Sequence, residues 1–213
     1  VSERSWRASV DHLLWGSPDL EREIARLEAW TGVRAAIGGR HPGEGTRNAL
    51  IRLGPGRYLE LIGPDAAQGP LGRPRWLGLD DLSAPRLVTW AMKAPHIERR
   101  AAAARAAGVP LGEVRSGGRE LSDGRMLSWR LTYPDVERGD GLIPFLIDWG
   151  ASPHPSETSP GGVELVDLRA EHPEPGAIGE WLRRLGLELP VTDGAAPALI
   201  ATLETPRGRV ELR

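Results

Sequence analysis

Three side chains in the first sixty residues have the types and spacing to do chemistry: His12, His41 and Glu60. Imidazole and carboxylate groups share two abilities, ligating a divalent metal and exchanging a proton near neutral pH. Glu60 lies among Leu59, Leu61 and Ile62, where a carboxylate is costly to bury without a partner, so a functional contact is expected. His12 stands in the apolar run Asp11-His12-Leu13-Leu14-Trp15, where a core histidine held by a backbone carbonyl is the plainer alternative. His41 belongs to Gly38-Gly39-Arg40-His41-Pro42-Gly43-Glu44-Gly45-Thr46-Arg47-Asn48. Its glycines permit tight turns and close approach to a ligand, and Thr46 and Asn48 add neutral hydrogen-bonding groups. The bland reading of that segment is a hairpin loop with a surface histidine.

The elements that must position these residues follow from periodicity. Val10 to Trp15 reads as a strand and Asp19 to Trp30 as a helix opened by Ser17-Pro18-Asp19 and closed at Gly32. Three strands follow, over Arg34–Gly38, Asn48–Leu53 and Arg57–Ile62. In the last, period two puts Tyr58, Glu60 and Ile62 on one face. The order is β-α-β-β-β, and it recurs. Leu87–Lys93, an alanine-rich helix from Pro95-His96 to Gly108, and strands near Glu113–Arg115, Met126–Thr132 and Leu142–Trp149 form a second copy. Val163–Ala170, a helix over Gly176–Leu185, and the hairpin Ala198–Glu204 and Gly208–Leu212 form a third, shorter one.

The expected architecture is therefore α+β, with repeated βαβββ modules whose paired mixed sheets form a half-open barrel cleft. The modules span residues 1–63, 86–150 and 163–213, joined by Gly/Pro-rich or Pro/Ser-rich linkers over 64–85 and 151–162. Each unit buries one sheet face under its helix and leaves the other to seek a partner. Two facing sheets enclose a cleft lined by alternate strand residues, where small ligands sit. The unpaired third copy extends the structure or completes a second sheet pair in a homodimer. Eight tryptophans against one phenylalanine offer aromatic walls, and Trp15, Trp90, Trp129 and Trp149 lie on expected strands, half of them facing inward by alternation.

Composition narrows the functions. The absence of cysteine among 213 residues excludes disulfides and thiolate-bound zinc, leaving nitrogen and oxygen ligands for any metal. A formal net charge of -2 without a basic run argues against nucleic acid as a partner. No apolar run approaches membrane-spanning length and no charged-then-apolar leader is seen, so a soluble cytoplasmic protein is expected. His96, at a helix start, and His154, in the linker Ser152-Pro153-His154-Pro155, are poor catalytic candidates. His172 is assigned to a strand-to-helix turn and Glu211 to a solvated chain end.

Asp11–Trp15, Gly39–Asn48, Tyr58–Ile62 and Pro144-Phe145-Leu146-Ile147-Asp148-Trp149 together resemble the glyoxalase-like members of the vicinal oxygen chelate superfamily, which includes bleomycin-resistance proteins and dioxygenases. That resemblance implies one divalent ion (Zn, Fe, Mn, Ni or Co) held by first and last strands of two paired modules. The first module then supplies His12 and Glu60, with His41 or Asp148 as further ligands. The second module departs from the pattern, with Thr89 or Trp90 where a histidine is needed and Ile147 competing with Asp148 for the last position. The implied enzyme is a metal-dependent lyase, isomerase or dioxygenase acting on a small oxygenated or aromatic molecule, with Glu60 and His41 catalytic. Thr46, Asn48, Trp15, Trp90 and Trp149 would bind that substrate. The alternative is a metal-free binding protein, like the relatives that sequester antibiotics. A scaffold without a ligand is the third possibility.

Overall fold

The computed structural model describes residues 6–121, 124–134 and 139–213. The start of the first expected module and two short stretches of the second fall outside the described residues. After a short helix α1 (Trp6–Ser9), the first module runs β1 (Val10–Gly16), α2 (Leu20–Thr31), β2 (Ala36–His41), β3 (Thr46–Arg52) and β4 (Tyr58–Pro64). The second runs β5 (Arg86–Lys93), α3 (Ile97–Ala106), β6 (Val114–Glu120), β7 (Met126–Thr132) and β8 (Phe145–Asp148). The caps of α2 follow the sequence: Asp19 accepts a hydrogen bond from the Arg22 amide, and Gly32, at φ 77°, ends the helix in the left-handed region.

The eight strands close into a barrel in the order β1-β4-β3-β2-β6-β7-β8-β5. Each module pairs its first and last strands in parallel, β1 with β4 and β5 with β8, and the modules join antiparallel through β1 and β5. On the opposite side the closure is narrow, a single pair between Arg40 of β2 and Glu120 of β6. The linker over 64–85 is not a bare loop, since it contains two 3-10 turns, at Ala66–Gln68 and Trp76–Asp81.

The last fifty residues form β9 (Glu164–His172), α4 (Pro175–Arg184), β10 (Val191–Asp193), β11 (Ala198–Thr205) and β12 (Gly208–Leu212). Their element order is again βαβββ, but the pairing differs: the sheet runs β10-β9-β11-β12, with the first strand inside it. This unit repeats the order of the other two and not their topology. The short strand β10 lacks any apolar alternation of its own and pairs in parallel with the end of β9.

Two apolar layers result. Leu14, Ile62, Val88, Ala91, Leu131, Phe145 and Ile147 form a cluster with Leu77 and Leu79. The opposite faces of the same strands, including Leu13, Trp15, Leu59, Leu61, Trp90 and Met92, pack with the helices and with Leu168, Leu199, Leu203 and Leu212 of the second sheet. No helix among the described residues is long and apolar enough to cross a membrane.

Candidate functional site

The inward faces of β1 to β4 bring the expected residues together. His12 Nε2 lies 3.5 Å from Glu60 Oε2, and His41 Nε2 lies 3.7 Å from Glu60 Oε1. Asn48, on β3, donates its side-chain amide to Glu60 Oε1 at 2.7 Å and stands 3.4 Å from His41 Nε2. His41 Nδ1 meets Thr46 Oγ1 at 2.8 Å. His41 is thus the last residue of β2, buried at 4% exposure, and its side chain is not on a surface loop. Burial lowers its pKa, with Arg119 adding to that and Glu60 opposing it, so His41 is held neutral.

Asp11 decides how His12 is used. The β1–β5 register shifts between Val10 and His12, and such an irregularity re-aims neighbouring side chains. Asp11 is as buried as His12 and accepts from His12 Nδ1 at 2.7 Å. It also accepts from His154 Nε2 at 3.2 Å and from the Trp149 indole. Burial alone would raise the Asp11 pKa, but the hydrogen bonds from His12 and His154 and their charges outweigh it and hold the carboxyl well below the usual range. With Nδ1–H committed to Asp11, the lone pair of a neutral His12 at Nε2 faces the Glu60 carboxylate. Two acceptors face each other there unless a proton lies between them. Tyr58 stacks on the His12 ring at 4.6 Å. Its pKa is raised well above the ordinary value by burial and by Glu60 and Asp11, so the phenol keeps its proton.

The second module supplies the wall. Phe145, Ile147, Leu131, Trp129 and Trp149 line the inner chamber with His12, Glu60 and Arg119, and Trp76 borders it from the linker. The inner space is about 20 Å³, room for a water molecule. It adjoins an outer chamber of about 140 Å³ with which it shares His41, Trp76, Trp129 and Leu131. Two strand glycines make the space. A Cβ at Gly38 would lie 2.3 Å from Asn48 Oδ1, and one at Gly117 would lie 2.4 Å from the Trp129 indole nitrogen.

The register settles which second-module residues correspond to the first-module pair. His12 is beside Tyr58 with Glu60 two residues on, and Ala91 is beside Phe145 with Ile147 two residues on. The positions matching His12 and Glu60 are therefore Ala91 and Ile147, neither able to ligate. Asp148 is turned away from the chamber and accepts from the Gly150 amide. On the first module, the Asn48 amide donates to Glu60 Oε1 and lies 3.4 Å from His41 Nε2. Among the described residues no cluster of three or more His, Asp or Glu side chains is arranged to hold a metal. With Ala91 and Ile147 at the matching positions, the donors do not fit a resident four-ligand ion.

Trp149, Thr46 and Asn48 are in or beside the chamber, whereas two expected wall residues are not. Trp15 donates its indole N–H to Glu23 of α2, and Trp90 donates to the Leu142 carbonyl, both in the outer layer. Strand alternation across an irregular β1–β5 pairing turned them outward. Sequence reasoning missed Arg119, Trp76, Tyr58 as a stacking partner, and His154, which folds back from its linker onto Asp11. Gly117-Gly118 within β6 was the available signal for Arg119 and Trp129, because glycine inside a strand marks a close approach.

No curated protein matches the sequence. Among solved structures, a hypothetical protein from Staphylococcus aureus is similar over 95% of this chain and 83% of its own, at 14% identity and a TM-score of 0.64. A methylmalonyl-CoA epimerase variant from Streptomyces coelicolor, bound to 2-nitronate-propionyl-CoA, shares 19% identity over 65% of this chain and 95% of its own, with a TM-score of 0.48. The epimerase from Mycobacterium tuberculosis shares 16% identity over 65% and 86%, with a TM-score of 0.44. The model of the glyoxalase-like domain matches residues 10–186, which takes in the whole barrel and its polar cluster. The chain belongs to the glyoxalase-like domain family of the vicinal oxygen chelate superfamily.

Proposed function

We propose that the barrel chamber binds a small oxygenated molecule with a flat or apolar body, and that Glu60 moves a proton on it with His12 and His41, without a resident metal. The observation that carries this reading is the approach of both imidazoles to one buried carboxylate, 3.5 and 3.7 Å away, on the polar floor of an aromatic-walled chamber. Glu60 takes a proton from a carbon beside a carbonyl group, and His12, oriented by Asp11, stores or returns it. Neutral His41, steadied by Thr46, offers a second proton relay. Asn48 fixes Glu60 by its amide, and Trp149 with Trp129 supports the ligand's apolar body. Isomerase or lyase chemistry follows from such a set. Residues 1–150 are read as the ligand-binding unit, and 163–213 as its support.

The aromatic walls favour a second reading, a binding protein that performs no chemistry. Proton exchange separates the two. Chelator-treated protein in D2O, given a panel of small carbonyl compounds, is expected to place deuterium beside the carbonyl of at least one, seen by proton NMR, and Glu60→Gln abolishes it. Saturable tryptophan quenching by members of the panel without exchange supports the binder. Exchange that appears only after a divalent metal is added, and that His12→Ala removes, establishes the metal-dependent enzyme instead.

A further inference from the structure

Arg119 lies on β6 with Arg115 and Gly117 on the same face, by period two. It is 5% exposed and lines the inner chamber. Its partner there is neutral, since Nη1 donates to Asn48 Oδ1 at 3.1 Å, while its Nε is buried without any hydrogen bond. The same Asn48 amide gives its N–H to Glu60, so it stands between the guanidinium and the carboxylate as a spacer. Arginine keeps its charge, and this buried guanidinium meets the Glu60 carboxylate only through the Asn48 amide, which leaves it able to receive a further anion.

The surroundings preserve this arrangement. A Cβ at Gly38 would lie 2.5 Å from Arg119 Nη1, and Gly117 leaves the Trp129 indole room beside the arginine. Trp76 and Trp129 border both chambers, so a flat body between them leads inward to the guanidinium. At the mouth, Arg115 stacks 4.3 Å over the Tyr133 ring, with Glu44 on the same lining.

We infer that the ligand is an anion, a small carboxylate with a flat apolar body, whose carboxylate is received by the Arg119 guanidinium where it lines the inner chamber. The inference rests on the chamber being a small-molecule site, as proposed above. The bond is charge-assisted and planar, which a carboxylate matches better than a neutral carbonyl does.

The test uses benzoate and its neutral counterpart benzamide, titrated against tryptophan fluorescence of the full chain. Benzoate is expected to bind roughly ten- to a hundredfold more tightly than benzamide. Arg119→Gln should erase that preference, and the surface control Arg130→Gln should keep it, with circular dichroism reporting whether each variant folds. Equal binding of the two probes by the natural protein overturns the anion site while leaving the chamber as a binding site. Absence of binding by both overturns the chamber reading, and the anion site with it. If Arg119→Gln does not fold, the benzoate-to-benzamide ratio of the natural protein decides alone.

Discussion

The two halves of the barrel share one topology and differ in what they present to its interior. The first offers His12, His41, Asn48 and Glu60; at the positions matching His12 and Glu60 the second offers Ala91 and Ile147, beside Leu131 and Phe145. Modules of one topology therefore need not carry the same inward side chains. Backbone pairing fixes the fold equally in both halves, and a few inward side chains decide whether the enclosed space is an ion cage or a polar floor under an apolar roof.

Adding charge to the apolar half should have the largest effect. Ile147→Glu sets a second carboxylate among Leu14, Leu131 and Phe145 in the chamber that already holds Glu60, and is expected to cost about 3–5 kcal/mol in urea unfolding. Combining it with Ala91→His completes a four-donor set, so zinc should raise the melting temperature of the double variant and leave the natural protein unchanged. Tight stoichiometric zinc binding by the natural protein would erase the contrast between the halves. Next in size is removal of the polar hub. Asn48→Leu strands Glu60 Oε1 and Arg119 and should lose roughly 2–3 kcal/mol, whereas a loss below half a kcal/mol would mean that water satisfies both. Trp149→Phe keeps the wall and forfeits the indole bond to Asp11, a loss of about 1 kcal/mol.

The smallest effect concerns pH. His41 has a lowered pKa in the folded state, so its contribution is complete above the unfolded value of about 6.5 and is lost as pH falls toward the folded value. The natural protein should therefore lose stability below that point more steeply than His41→Gln does. Parallel urea midpoints from pH 7 to 5 would show that His41 titrates as freely as an exposed imidazole.

Much of this was legible in the sequence, for identifiable reasons. Strand alternation put Tyr58, Glu60 and Ile62 on one face, and the capping residues Asp19 and Gly32 bounded α2. The costly placement of a glutamate among leucines marked Glu60. What failed depends on geometry between distant segments. The pairing of β1 with β5 sets Ala91 opposite His12, and alternation then turns Trp15, three residues from His12, and Trp90, next to Ala91, to the outer face. Arg119 reaches Asn48 across 71 positions of chain, and His154 reaches Asp11 across 143. No local pattern encodes either. The pairing of β9 to β12 was likewise hidden, because an element order does not specify which strands are neighbours.

The outer layer has a consequence for how the molecule comes apart. Leu13, Trp15 and Trp90 of the barrel share one apolar cluster with Leu168, Leu199 and Leu203 of the second sheet, and the Leu87 amide bonds to the carbonyl of Arg213. Neither part can open without exposing the other's contacts to water, so heating should give one cooperative transition with calorimetric and van't Hoff enthalpies in agreement.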